Sequence, residues 1–131
     1  MILYLDTSAA AKLAVEEAES AALANFLDDR SAVPGSVLAS SSLLETELRR
    51  MAHRAGVAQT TITEVLRRLT IIDVERGTFR DAGLLPGGNL RSLDALHLAV
   101  AERIAADEFV TYDARQAEAA HSLGLTVVHP A

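Results

Sequence analysis

Hydrophobic positions along the chain follow two different periods. Short apolar or β-branched runs at Ile2–Leu5, Val37–Ala39, Thr70–Val74, Phe109–Thr111 and Thr126–Val128 read as strands. Longer stretches with helical spacing predict helices over Ser8–Glu17, Ala18–Asp28, Ser42–Ala55, Thr60–Arg68, Thr78–Leu84, Leu93–Ala106 and Ala114–Leu123. Strands separated by helices require crossover connections. The pattern therefore predicts an α/β fold, with a mostly parallel sheet covered by helices on both faces. Pro34-Gly35 and Pro86-Gly87-Gly88-Asn89 supply turns, and Gly56 and Gly124 stand where helix C-caps belong. Thr78, with Asp81 three residues later, resembles a capping box. No repeat, low-complexity tract or long linker divides the 131 residues, so a single domain over 1–131 is expected.

Composition narrows the chemistry. Half the residues are hydrophobic, enough to bury a core without staples. Cysteine is absent, so any metal must sit on oxygen or imidazole, which favours Mg²⁺, Mn²⁺ or Ca²⁺ over structural zinc. The opening Met1-Ile2-Leu3-Tyr4-Leu5-Asp6 lacks the features of a signal peptide, and no apolar run is long enough to span a membrane. A cytoplasmic protein with no membrane partner is expected. The net charge of −6 is unusual for a nucleic-acid binder, but two divalent ions would bring it to −2. Aromatic residues are only 4% and tryptophan is absent, which argues against a base-stacking surface.

The acids are informative where burial would make them costly. Asp6 follows the first strand and Asp113 the fourth, and ligands of open parallel sheets bind beyond such strand ends. Each acid could also simply cap the next helix. In the third predicted helix, at ~100° per residue from Leu44, Glu47 falls at about −60°, inside the arc of Leu43, Leu48 and Met51. Glu45 falls at about +100°, outside it and on the side of Arg49. The same construction puts Asp94 on a buried stripe with Leu93, His97, Leu98 and Ala101. Carboxylates in apolar surroundings need partners. Arg91 or Arg115 would neutralise them as ion pairs; a shared metal would also explain the acids at the strand ends. Four acids without an evident nucleophile suit metal-assisted phosphoryl chemistry.

These residues also carry a family resemblance. Ile2-Leu3-Tyr4-Leu5-Asp6-Thr7-Ser8-Ala9 resembles the first motif of PIN-domain nucleases, specifically the VapC toxins of VapBC toxin–antitoxin pairs. Ser40–Arg50, Leu90–Ala99 and Phe109–Arg115 are similar to the second, third and fourth motifs, in the family's order and spacing. The resemblance implies a PIN-like fold with a five-stranded parallel sheet. It implies Asp6, Glu47, Asp94 and Asp113 as catalytic, metal-binding acids, with Mg²⁺ or Mn²⁺ as cofactor. It further implies endoribonuclease activity on tRNA or ribosomal RNA, a VapB-type antitoxin partner and frequent homodimers.

Several neighbours have plainer readings beside a role in the site. Thr7 and Ser8 could contact phosphate or cap the first helix. Thr111, two residues before Asp113, should share its face and could hydrogen-bond an acid. Arg91 and Arg115 could bind phosphate or neutralise the acids. His97, on the Asp94 stripe, could tune the site, although a lone histidine on an apolar face is more often a satisfied core residue. Two other functions remain to be weighed: a non-catalytic interaction module, and a haloacid-dehalogenase-type phosphohydrolase with Asp6 as nucleophile. The latter wants an acid where Ser8 stands and a late lysine, whereas the sole lysine is Lys12.

Overall fold

Successive side chains of a strand point to opposite faces of its sheet, and the run Ile2–Leu5 uses both. In the computed structural model, which describes residues 1–131, Leu3 and Leu5 enter one core and Tyr4 enters another. This run is β1 (Ile2–Leu5), the central strand. It is joined by β2 (Val37–Ser41), β3 (Thr70–Ile72), β4 (Glu108–Val110) and β5 (Thr126–Val128). All pairings are parallel, in the order β3-β2-β1-β4-β5.

Four helices cover the Leu3/Leu5 face: α1 (Thr7–Ala14), α2 (Ser20–Ser31), α3 (Leu43–Ala55) and α4 (Gln59–Arg67). Their apolar stripes meet in a core that includes Leu23, Leu27, Leu44, Leu48 and Ile62, all fully buried. The helices α5 (Arg76–Gly83), α6 (Ser92–Arg103) and α7 (Ala114–Ser122) complete the chain. On the Tyr4 face, Leu98 and Val100 of α6 and Ala120 of α7 pack with Phe109. The Tyr4 and Phe109 rings stack at 5.4 Å. The expected α/β architecture is therefore present, with every strand parallel.

Departures from the expected boundaries have local causes. The capping box at Thr78 and Asp81 does not form. Helix α5 starts earlier, at Arg76, which leaves Thr78 buried in its first turn. Asp81 and Glu75 are instead taken by Arg103 of α6, a tertiary contact that overrides the local signal. Gly56 does end α3, in the left-handed conformation at φ 70° that glycine adopts without penalty. Helix α6 departs from the wheel: residues Ala95–Ala101 are buried all round, while Leu93 is exposed.

The strand order also decides where a ligand can sit. From β1 the chain moves outward to β2 and β3, then returns to add β4 on the other side of β1. Helices depart to opposite faces at this reversal, which leaves a crevice beyond the ends of β1 and β4. Leu5 pairs with Val110 there, and Asp6 N–H donates to the Val110 carbonyl at 3.2 Å.

Leu48→Ala should cost about 2–5 kcal/mol, because its site is fully enclosed. Leu84→Ala, at a position 76% exposed, should change stability by no more than about 0.5 kcal/mol. Urea unfolding midpoints check both; similar losses would show that this core is not packed as described.

Candidate active site

Asp6 and Asp113 both cap helices, and both keep acceptor capacity for something else. Asp6 is the N-cap of α1: its Oδ1 accepts from Ala9 N–H at 3.0 Å and from the Ser8 hydroxyl at 2.6 Å. Its Oδ2 accepts only the Thr111 hydroxyl, at 2.5 Å. Asp113 caps α7 through Oδ1 alone, accepting from Arg115 N–H and Gln116 N–H at 2.9 and 3.1 Å. The capping reading is thus correct for both, and it leaves Asp113 Oδ2 and one lone pair of Asp6 Oδ2 unused.

The other two acids arrive on helices. Glu47 turns toward α6, where its Oε1 lies 2.7 Å from His97 Nε2. Glu45 lies on the outer side of α3 and pairs with Arg49 at 2.9 Å. Asp94 sits in the first turn of α6, and its carboxylate receives no hydrogen bond. Glu47, Asp94 and Asp113 line one open cavity of about 630 Å³ with Arg91 and Arg115. Asp6 is 3% exposed and lies behind them, close enough to act on Asp94 electrostatically.

Charge in this crevice is poorly compensated. Neither Arg91 nor Arg115 forms an ion pair, although both border the cavity; the one basic side chain touching the four acids is His97, whose Nε2 meets Glu47. Burial pushes Asp6 above the usual aspartate range, against the opposing pull of its Ser8 and Thr111 hydrogen bonds. Burial also raises Asp94, with repulsion from Asp113, Asp6 and Glu47 adding to it. The bland alternative of arginine-neutralised acids is therefore absent.

The donor set fits a hard divalent cation. Every free ligand atom is a carboxylate oxygen, the type that Mg²⁺ and Mn²⁺ prefer. No three acidic or imidazole groups stand close enough together to hold an ion by themselves, so water would have to complete its shell, as Mg²⁺ allows.

Neutral polar groups hold the acids in place, and several were not legible as such from sequence. Ser8 Oγ donates to Asp6, lies 3.2 Å from Thr111 Oγ1, and accepts Tyr112 N–H at 2.8 Å. Thr111 Oγ1 also accepts Asp113 N–H at 3.1 Å, so one hydroxyl links two of the acids. Thr7 does not cap α1; its hydroxyl lies 3.2 Å from His97 Nε2. Gln116 Nε2 donates to the Asp94 carbonyl at 3.1 Å, tying α7 to α6. Nothing in the sequence singled out Gln116 or the Tyr4 hydroxyl, since their partners lie 22 and 93 residues away.

An acid-lined crevice at the strand-order reversal of a five-stranded parallel sheet is the arrangement of the PIN domain. The family's model matches residues 3–122, and the chain belongs to this family. Among named relatives, ribonuclease VapC46 of Mycobacterium tuberculosis (strain ATCC 25618 / H37Rv) is 38% identical over 132 positions, covering 98% of this chain and 97% of the relative. Ribonuclease VapC35 of the same organism is 41% identical over 135 positions, with the same coverage. In fold, the chain is similar to VapBC2 from Rickettsia felis bound to a DNA fragment from its promoter. The TM-score there is 0.76, at 20% identity and full coverage of both chains. It is also similar to M. tuberculosis VapC20, described as a sarcin–ricin loop cleaving toxin, with a TM-score of 0.73 at 18% identity and coverage of 98% and 99%.

The crowding of charge has a measurable sign. A carboxyl raised in the folded state binds more protons folded than unfolded, so stability falls as pH rises from the ordinary aspartate range through the raised value. Asp94→Asn should therefore unfold at a higher temperature than wild type at pH 7 in EDTA, and the gain should vanish by about pH 3. Thermal melts at the two pH values check this; a variant no more stable at pH 7 would contradict the repulsion.

Proposed function

We propose that the protein is a divalent-metal-dependent endoribonuclease, the toxin of a VapBC-type toxin–antitoxin pair. The observation that carries this reading is a crevice at the strand-order reversal lined by Glu47, Asp94 and Asp113, with Asp6 buried close by and none of the four acids paired with arginine. Asp6, Glu47, Asp94 and Asp113 are the residues that would hold Mg²⁺ or Mn²⁺. When bound, such an ion supplies Lewis-acid polarisation and lowers the pKa of water for phosphodiester hydrolysis.

The chain's own groups do the rest. Arg91 and Arg115 stand on the rim of the cavity with unpaired guanidinium groups, placed to receive the phosphates of an incoming strand. Asp94 and the free oxygens of Glu47 and Asp113 face the same space. Ser8 and Thr111 act behind the site by fixing Asp6. The named relatives are ribonucleases of the VapC type, and solved neighbours include VapBC complexes. They support an RNA substrate and a VapB-type antitoxin as protein partner; tRNA or ribosomal RNA is the substrate class within this reading. Homodimerisation and a cytoplasmic location belong to the same reading; no helix is long and apolar enough to cross a membrane.

The test is incubation with total tRNA and ribosomal RNA in Mg²⁺, Mn²⁺ or EDTA. Cleavage should need the metal. Asp94→Asn and Glu47→Gln should each lower it by about 100-fold or more, as loss of several kcal/mol of transition-state stabilisation requires. Glu45→Gln should stay within a few-fold of wild type, since Glu45 faces Arg49. Metal-independent cutting, or equal damage from the two glutamates, would sink the assignment.

A further inference from the structure

His97 occupies a position that a merely space-filling core residue would not need. It is 1% exposed, in the centre of α6, and both ring nitrogens are engaged. Nδ1 lies 2.6 Å from the Tyr4 hydroxyl, and Nε2 lies 2.7 Å from Glu47 Oε1. The rings of Tyr4 and His97 meet edge-on at 5.8 Å, and Tyr4 is itself fully buried against Phe109. The contacts thus run from the sheet, through one imidazole, to a carboxylate on the wall of the cavity.

The hydrogen-bond roles follow from chemistry. An ionised carboxylate only accepts, so Nε2 must carry a proton and donate to Glu47. In the neutral ring Nδ1 is then an acceptor, which requires the Tyr4 O–H to donate to it. Tyr4 is suited to that role, because burial pushes its phenol far above the ordinary range and keeps it protonated. Thr7 Oγ1, at 3.2 Å, is a weaker second neighbour of Nε2. Glu47 has no other hydrogen bond within the protein and is only partly buried, so without this contact its side chain would be free among rotamers.

We propose that Tyr4 and His97 form a positioning relay that sets the Nε2–H tautomer of His97 and thereby aims the free oxygen of Glu47 into the acid-lined cavity. His97 is a positioning residue, not a ligand or base, and rigid β1 is the anchor. The proposal rests on the metal-nuclease reading for its functional meaning, but the relay is testable without it. Groups that orient metal-ligating side chains typically change metal affinity or activity by 10–100-fold when removed.

The experiment has two arms. Imidazole ¹⁵N spectra of the metal-free protein should show His97 protonated at Nε2 and not at Nδ1, and Glu47→Gln should shift the Nε2–H signal. A Nδ1–H tautomer, or a signal indifferent to Glu47→Gln, would overturn the relay whether or not the protein binds metal or cuts RNA. The second arm is calorimetric titration with Mn²⁺. His97→Gln keeps an N–H donor near the Nε2 position and should bind within a few-fold of wild type. His97→Asn keeps a donor only near Nδ1 and should bind on the order of 10–100-fold more weakly. Equal behaviour of the two variants would mark His97 as a packing residue only. Absence of Mn²⁺ binding in wild type would count against the metal reading, leaving the spectra to decide the relay.

Discussion

Three carboxylates line one small space with a fourth, Asp6, buried close by; their charges repel at Asp94, and removing them from water adds to the cost. The rest of this structure is arranged around bearing that cost without cancelling it. Asp6 is fixed by one backbone N–H and two hydroxyls, Asp113 by two backbone N–H groups, and Glu47 by an imidazole. These contacts leave one oxygen of Glu47 and one of Asp113 open, and a single lone pair on Asp6 Oδ2. Arginine ion pairs would have neutralised the cluster more cheaply, yet Arg91 and Arg115 stay at the rim. A site that is held but unneutralised is suited to a cation from solution.

The scaffold brings these groups together through topology rather than sequence proximity. Reversal of strand order at β1 places Asp6 beside the end of β4, across a separation of more than 100 residues from Thr111. Helices α3 and α6 then carry Glu47 and Asp94 to the same end. The nearly continuous burial of α6 makes it a rigid support, and His97 couples it to both α3 and β1. Tight packing in the two cores, including the stacked Tyr4 and Phe109, keeps these elements from yielding to the repulsion.

What could be read from the sequence was what depends on periodicity. Strands Ile2–Leu5 and Thr126–Val128 were legible to the residue, and the crossover pattern implied the parallel sheet. The wheel separated Glu47 from Glu45 because α3 is amphipathic. It misplaced Leu93 because α6 is buried on all sides and its first turn projects beyond that cover. Thr78 and Asp81 imitated a cap, but Arg103, distant in sequence, recruited Asp81. His97 was legible as a satisfied core residue beside the acids, with a role in tuning them as the second reading. That description holds, yet it omits Tyr4 and Glu47, 93 and 50 residues away, which no local pattern could supply.

The central proposal is that Asp6, Glu47, Asp94 and Asp113 bound one cation site. Anomalous diffraction from a crystal of the full chain soaked in Mn²⁺ tests it most directly. The account predicts a manganese peak within the crevice, bounded by these four residues and coordinated by carboxylate oxygens and water. Manganese bound only elsewhere, or a crevice closed by new arginine–carboxylate pairs and free of manganese, would contradict it.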